Sequence, residues 1–132
     1  MILEHVQDVL SCPSAHRWSS DDNKDTIEEI NPSHIYYLCP GGFFLFIPKS
    51  RVEYDSHVAF KRSAWGNTLE RGFDAINYMS RFCKKLTCEI PEDNNLALSY
   101  AKKLGFVEEG INKQSFLRGG ILINKIYLGR RV

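Results

Sequence analysis

The feature that most constrains the fold of this chain is the segment 90–110, which contains a strand end, a capped helix, a glycine stop and a new strand. Asp93 or Asn94 supplies the side-chain oxygen that caps a helix N-terminus. Gly105 ends the helix, because glycine adopts the left-handed backbone of a helix C-terminus without steric cost. Phe106 begins the next strand. Helices interleaved with strands in this way favour a layered α/β sheet. The predicted inner face of the helix consists of Ala97, Tyr100, Ala101 and Leu104.

The first half of the chain combines one helical pattern with a strand-rich middle. Apolar residues at helical spacing predict an amphipathic helix over 2–11, which Pro13 ends. Residues 14–25 are polar and predict a loop, and residues 26–30 predict a single helical turn. An aromatic hairpin follows over 35–47, with its turn at Pro40-Gly41-Gly42 and a second strand buried on both faces.

A crossover links the middle of the chain to its second half. Alternation over 52–60 predicts a strand, and an apolar face predicts a helix from about Thr68 to Cys83. Asn67 and Glu70 have the spacing of a capping box at its start. The short strand that follows should pair in parallel with the strand before the helix. A last hairpin, turned at Gly119-Gly120, makes the remaining pairs antiparallel.

Composition limits the classes of protein to consider. The 132 residues fit a single domain over 1–132, and 43% hydrophobic with 25% charged residues indicates a globular protein. A net charge of +1 gives no reason to expect a nucleic-acid partner, and no apolar run is long enough for a membrane span. The N-terminus does not resemble a signal peptide, so we expect a cytoplasmic protein. No metal site is predicted; we expect reduced cysteines, mostly in the core, at Cys12, Cys39, Cys83 and Cys88.

The motifs of the second half resemble those of the GNAT superfamily of acyltransferases, on a likeness that covers about residues 35–132. The residues that carry it are Asn94, Ala97, Gly105-Phe106 and Glu109-Gly110. The resemblance implies the GNAT fold, a mixed and mostly antiparallel sheet with a central parallel strand pair and flanking helices. The segment 114–120 also resembles the tail of small GNAT proteins encoded by bacteriophages, some of which lie among head-assembly and virion genes.

The resemblance implies that acetyl-coenzyme A is the cofactor and binds in a V-shaped opening between the two parallel strands. Backbone groups of the earlier strand would bind the pantetheine arm, and the loop and helix start over 62–70 would wrap the pyrophosphate. The side chain of Asn94 either contacts the thioester arm or caps its helix. The implied cofactor contacts are Val58, Ala59, Phe60, Arg62, Gly66, Asn67, Thr68 and Asn94.

The phosphate loop departs from the pattern of the superfamily, which has an arginine or glutamine followed by two spaced glycines. Trp65 stands at the arginine position, Thr68 at the first glycine and Glu70 at the second. The Cβ of Thr68 crowds an approaching pyrophosphate, and the carboxylate of Glu70 repels it. Lys61, Arg62 and Arg71 offset part of this negative charge.

Two residues are candidates for proton transfer. His57 lies on the strand that lines the implied cleft, with Asp55 on the same face, and is either the general base or a structural histidine. The tyrosine that protonates the thiolate in GNAT enzymes would fall at Ala101, so its neighbour Tyr100 is either that acid or a core residue. Glu53 and Glu89 are weaker alternatives for the base.

Two functions are therefore open. The first is an acetyl-coenzyme A-dependent N-acyltransferase, phage-encoded and acting in the cytoplasm of the bacterial host on an amine-bearing small molecule or protein. The second is a GNAT-fold protein without catalysis that serves in phage head assembly or as an interaction module, with phage structural proteins as partners. The altered phosphate loop and the aromatic content favour the second. A homodimer is a further expectation.

Overall fold

The computed structural model describes residues 1–12 and 27–132, together with the backbone of residues 16–17. It confirms the mixed α/β architecture that the sequence predicts. The helices are α1 (Ile2–Ser11), a 3-10 helix (Arg62–Asn67), α2 (Thr68–Met79) and α3 (Asn95–Lys103). The strands are β1 (His16–Arg17), β2 (Ile35–Cys39), β3 (Gly42–Pro48), β4 (Glu53–Phe60), β5 (Lys85–Pro91), β6 (Val107–Arg118) and β7 (Ile121–Arg131).

These strands form one mixed sheet in the order β2-β3-β4-β5-β7-β6, and β1 pairs with β4 outside that path. Among the described strands, β4 and β5 are the one parallel pair, joined by the 3-10 helix and α2. All other described pairs are antiparallel. The central parallel pair that the sequence predicts is therefore confirmed.

The sheet separates two apolar layers, because successive side chains of a strand point to opposite faces. On one face, Phe46 and Phe60 join the core beneath α2 and α3. On the other, Phe43 and Ala59 pack against Val6 of α1. The strand β3 is buried on both faces over Gly42–Phe46, which confirms the reading of its continuous apolar run.

Two glycines have the backbone conformation that their turns require. Gly105 follows α3 with a φ of +95°, which confirms the predicted glycine stop. Gly41 turns the β2–β3 hairpin with a φ of +73°, and a Cβ there would approach the Cβ of Ala64 to 2.7 Å. The hairpin and the 3-10 helix therefore meet closely only because position 41 lacks a side chain.

Helix α2 ends at Met79, four residues before the predicted end at Cys83. The chain turns after Met79 so that the backbone N–H groups of Lys84 and Lys85 can donate to the carbonyl of Val52. The N–H of Cys83 still donates to the carbonyl of Met79, at 3.2 Å. Cys83 therefore stays on the apolar side of the helix axis, which is why its spacing resembles a helical position.

The capping box predicted at Asn67 and Glu70 is wrong. Asn67 occupies the N-cap position of α2, but its side chain makes no capping hydrogen bond. The preceding 3-10 helix supplies a substitute, because the N–H of Thr68 donates to the carbonyl of Trp65. The backbone donors at the start of α2 thus depend less on a side-chain cap.

The N-terminal predictions have mixed outcomes. The amphipathic helix over 2–11 is confirmed as α1. Pro13, Thr26 and most of the predicted loop 14–25 lie outside the described residues. The loop prediction is wrong at residues 16–17, which form β1 because their backbone pairs with β4. The predicted helical turn is wrong over 27–30, where the backbone is irregular. Ile27 instead packs beside α1, and its carbonyl accepts a hydrogen bond from Gln7.

Candidate functional site

The parallel strands β4 and β5 separate near their middle. Their pairing covers only Glu53–Asp55 against Lys85–Thr87, although β4 continues to Phe60 and β5 to Pro91. Beyond that point β4 remains paired with β3, and β5 remains paired with β7. An opening therefore forms at the carboxyl ends of the two parallel strands, which is the usual place for a ligand in an open α/β sheet.

Backbone groups of both strands point into this opening. The N–H of Lys61 donates to the carbonyl of Gly41 at 2.7 Å, so odd-numbered residues of β4 direct their backbone groups toward β3. The even-numbered residues Val58 and Phe60 therefore direct theirs toward β5. On β5, the N–H of Lys85 points toward β4, and Glu89 shares this direction. Peptide donors and acceptors from both strands thus line the opening, and those of Phe60 face the strand β1 that pairs with it.

A cavity of about 260 Å³ lies beside the opening, between the start of α2 and the outer face of α3. Phe60, the last residue of β4, forms part of its wall and connects it to the opening. Its lining is mostly apolar, with a few polar groups. The lining residues are Phe60, Trp65, Thr68, Leu69, Leu96, Ser99, Tyr100 and Lys103.

Tyr100 joins the two walls of this cavity, since its hydroxyl donates a hydrogen bond to the backbone carbonyl of Thr68. Burial raises the pKa of the Tyr100 phenol above its ordinary value, so the group keeps its proton at neutral pH. Both predicted alternatives for Tyr100 are thus compatible with its position, because it packs against the core and also lines the cavity.

His57 lies on the opposite face of the sheet, the face that carries α1. Its Nε2 is 2.8 Å from the Oδ2 of Asp55, and the two side chains are 35% and 27% exposed. Because an ionised carboxylate only accepts hydrogen bonds, this contact places the proton on Nε2 and makes Nδ1 the basic nitrogen. His57 and Tyr100 are therefore held on opposite sides of the sheet, with the opening between them.

Both weaker candidates for the base, Glu53 and Glu89, form ion pairs and hydrogen bonds with other side chains. The carboxylate of Glu53 is 2.9 Å from the Nζ of Lys49 and accepts from the hydroxyl of Tyr127 at 3.2 Å. The hydrogen bond from Lys49 lowers the pKa of Glu53, which makes it a poorer base.

Glu89 lies on the same sheet face as His57, two residues after Thr87, which belongs to the last parallel pair. Its carboxylate is 3.4 Å from the Nζ of Lys125 and accepts from the amide of Asn112 at 3.2 Å. The Glu89 carboxylate therefore lies on the β5 side of the opening, across from His57 on β4, and Lys125 balances its charge.

The predicted cofactor contacts are distributed unevenly. Val58 and Phe60 present backbone groups to the opening, whereas those of Ala59 point toward β3. Asn94 caps α3, because its Oδ1 accepts from the N–H of Ala97 at 3.2 Å. This confirms the capping alternative and leaves the cofactor contact of Asn94 as a prediction.

The predicted phosphate loop is a 3-10 helix, so it presents a different surface from an extended loop. The guanidinium of Arg62 lies 5.7 Å from the ring centroid of Trp65. A Cβ at Gly66 would meet nothing within 4 Å, so the backbone there is open to solvent. Thr68 lines the cavity, and its hydroxyl donates to the carbonyl of Trp65. Asn67 lies between them, at the exposed start of α2.

Sequence reasoning missed most of the α3 side of the cavity. Leu96, Ser99 and Lys103 line it beside Tyr100. Their spacing of three or four residues places them on one helix face, so the stripe was visible in the sequence. This stripe was overlooked because the neighbouring positions Ala97, Tyr100 and Leu104 form the apolar face of α3 that packs on the core.

The fold agrees with that of several acetyltransferases of known structure. The GNAT-family acetyltransferase from Streptococcus pneumoniae superimposes with a TM-score of 0.63 at 19% identity, covering 70% of this chain and 60% of that one. Spermidine N-acetyltransferase from Vibrio cholerae, in complex with CoA and spermine, gives 0.63 at 17% identity, covering 68% and 57%. Ribosomal-protein-alanine N-acetyltransferase from Brucella melitensis gives 0.61 at 18% identity, covering 69% and 61%.

This chain has the GNAT fold. It spans about 57 to 61% of the length of these three structures. No protein-family profile matches its sequence, and no curated protein matches it either. Within the GNAT fold, the separation of β4 from β5 is the V-shaped opening that the sequence resemblance implies. Within the described part of the chain, no helix is long and apolar enough to cross a bilayer.

Proposed function

We propose that this chain is an acetyl-coenzyme A-dependent N-acyltransferase that transfers the acetyl group directly to an amine. The observation that carries the proposal is the opening after Asp55 and Thr87, where two parallel strands stop pairing while each keeps its other neighbour. The solved GNAT-fold structures lend support, since one of them is described in complex with CoA.

The residues around the opening suit the cofactor arm better than its phosphates. An extended chain with amide groups can pair with the backbone groups of Val58 that face the opening, as a strand would. At the phosphate end, the N-terminus of α2 and the cation of Lys103 favour an anion, whereas the exposed Glu70 in the first turn opposes it. Arg62 begins the 3-10 helix before α2, and its guanidinium lies beside Trp65, which lines the cavity. We expect cofactor binding that depends on these two cations.

The sheet separates the proposed base from the proposed acid. The Nδ1 of His57, held by Asp55, accepts the proton that the acceptor ammonium must lose before it attacks. The cofactor supplies an activated thioester. On the other face, the Tyr100 hydroxyl keeps its proton at neutral pH and donates it to the departing thiolate after turning away from the Thr68 carbonyl. The opening between them is where the acceptor and the acyl group would meet.

The acceptor, the origin and the location of the protein belong to the same proposal. Proteins of this fold include one named for spermidine and one named for a ribosomal protein, so both small amines and protein amines are candidates here. The resemblance of residues 114–120 to phage proteins supports a phage origin and action in the cytoplasm of a bacterial host.

Calorimetric titration with acetyl-coenzyme A tests the binding step. We expect saturable binding that weakens about three- to tenfold in Lys103→Ala, because the cavity loses its cation. Lys113→Ala is the matched control, since Lys113 is an exposed residue of β6 outside the cavity lining. No binding at high micromolar concentration would refute the proposal.

A second function rests on the surface of the β6–β7 hairpin. Val107, Ile111, Ile121 and Leu122 are between 57 and 66% exposed there. Exposed apolar side chains along this hairpin can take part in association with another protein. They support a GNAT-fold interaction module that binds phage structural proteins, as in head assembly, or a second copy in a homodimer. Turnover on any amine that is lost in His57→Ala would refute a role without catalysis.

A further inference from the structure

The edge of β4 that faces the opening already carries a short stretch of the chain itself. The strand β1 pairs His16 with Phe60 and Arg17 with Ala59. The strand β3 pairs with the same two residues of β4. Because a strand has only two hydrogen-bonding edges and β3 occupies one, β1 lies on the other edge, toward β5. It therefore sits where the parallel ladder has already ended.

The position of β1 shows that the edge of β4 facing the opening can bind an extended chain. The backbone groups of Phe60 point toward the opening, so its pairing with His16 uses groups that face the opening. Val58 lies two residues earlier along the same edge. A strand edge binds an extended chain through hydrogen bonds to its amide groups, whether these belong to a peptide or to another molecule. A peptide segment and an amide-bearing cofactor arm are therefore alternative occupants of one edge.

We propose that β1 competes with the pantetheine arm of coenzyme A for the Val58–Phe60 edge, so that this segment limits access to the opening. The inference rests on the proposed function, because it takes coenzyme A as the ligand. Cofactor binding then requires β1 to leave β4, and the apparent affinity reflects the fraction of molecules in which it has left.

The described contacts that hold helix α1 on the sheet do not involve β1. Helix α1 is anchored separately, by a contact of 2.8 Å between the Nε2 of His5 and the carbonyl of Gly42. Asp8 contributes an ion pair of 2.6 Å with Lys61, and Val6 and Val9 are fully buried. Among the described residues, displacement of β1 breaks a two-residue pairing and keeps these contacts of α1.

Proline substitution tests the competition through the backbone. The double variant His16→Pro with Arg17→Pro lacks both N–H groups of β1, so we expect coenzyme A to bind about three- to tenfold more tightly than to the unmodified chain. The matched control is His16→Ala with Arg17→Ala, which removes the same side chains and keeps the N–H groups. Its affinity should equal that of the unmodified chain in calorimetric titration.

The outcomes separate this inference from the proposed function. Equal binding of coenzyme A to all three proteins, or the same gain in both double variants, overturns the competition and leaves the function standing. Failure of all three to bind overturns the proposed function. Hydrogen exchange on the unmodified chain gives a second readout, in which coenzyme A should accelerate exchange at residues 16–17 and slow it over 56–60. Binding with unchanged exchange at 16–17 also overturns the competition.

Discussion

The hydroxyl of Tyr100 on α3 donates a hydrogen bond to the backbone carbonyl of Thr68, the first residue of α2. This contact joins two helices on one face of the sheet and sets the width of the cavity between them. It also holds the phenol next to Phe60, where β4 ends beside the opening. One side chain thus links the packing of the helices to the proposed chemistry.

Tyr100→Phe separates these two roles. The substitution keeps the ring and removes the hydroxyl, so we expect the free energy of unfolding to fall by about 1 kcal/mol in urea denaturation. We expect kcat to fall about 100-fold, because the departing thiolate loses its proton donor. Tyr78→Phe is the control, since Tyr78 packs against the same core from α2 and lies outside the cavity lining. An unchanged kcat in Tyr100→Phe would show that Tyr100 has a packing role and no role in proton transfer.

Gly72→Ala probes the contact between the same helices. A Cβ at Gly72 would lie 2.6 Å from both the Tyr100 hydroxyl and a methyl carbon of Leu104. We expect a loss of about 1–3 kcal/mol in the free energy of unfolding, because the Tyr100 hydroxyl and the Leu104 methyl groups must leave their packed positions. Gly66→Ala is the matched control, because a Cβ at Gly66 would meet no atom within 4 Å. Its free energy of unfolding should stay within about 0.5 kcal/mol of that of the unmodified chain. Equal urea midpoints for the two variants would contradict the close packing at Gly72.

His57→Ala tests the proposed base. We expect kcat/KM to fall about 100-fold or more at neutral pH, and the remaining rate to rise with pH as the acceptor amine loses its own proton. His34→Ala is the control, because His34 precedes β2, which β3 separates from β4 and the opening. A pH profile of kcat/KM with the same shape in His57→Ala and the unmodified chain would show that the acceptor is deprotonated elsewhere.

Asn94 distinguishes a capping role from a cofactor contact. Asn94→Ala should lower the free energy of unfolding by about 1 kcal/mol, since the N–H of Ala97 loses its partner. Asn94→Ser restores a capping oxygen and should restore stability. We expect coenzyme A to bind both variants about threefold more weakly in titration, because the shorter serine hydroxyl caps without reaching the cofactor arm. Full recovery of affinity in Asn94→Ser would assign the residue to capping alone.

Alkaline pH should destabilise the protein through its buried thiols. Burial raises the pKa of Cys39 to about 11, with Arg71 lowering it in part, and burial also raises the pKa of Cys88. The folded state then holds protons that the unfolded chain releases near its ordinary thiol pKa, so the contribution to stability is complete below about pH 8.5 and is lost as pH rises toward 11.

Urea midpoints measured between pH 7 and 10.5 check this expectation. Cys39→Ala should show a shallower decline with pH than the unmodified chain. Cys12→Ala serves as the control, because Cys12 is only partly buried. The same slope in Cys39→Ala and the unmodified chain would argue against Cys39 as a source of the decline.

Much of the fold follows from local patterns. The apolar spacing of α1, the two hairpins and the stop at Gly105 are all confirmed, because each depends on residues close together in the chain. The crossover rule also predicted the parallel pairing of β4 with β5, since a strand, a helix and a strand in succession leave few alternatives. The capping box failed because a preceding 3-10 turn had already satisfied a backbone donor, which the pattern at Asn67 and Glu70 does not show.

The site was less accessible to sequence reasoning. His57 and Tyr100 were identified by residue type and position, yet their placement on opposite faces of the sheet depends on how α3 packs after the crossover. Lys103 was missed because its helix stripe borders the core stripe and has no distinctive composition.

The sequence by itself determined the elements, their order and the one parallel step, because periodicity, turn residues and chain connectivity are written into neighbouring positions. Only the tertiary structure decided that the β4–β5 ladder ends at Asp55 and Thr87 and that β1 lies on the edge beyond. Both depend on pairing between residues distant in the chain. The register of such pairing is chosen by the combined packing of the two layers of the sheet, which no short window of sequence contains.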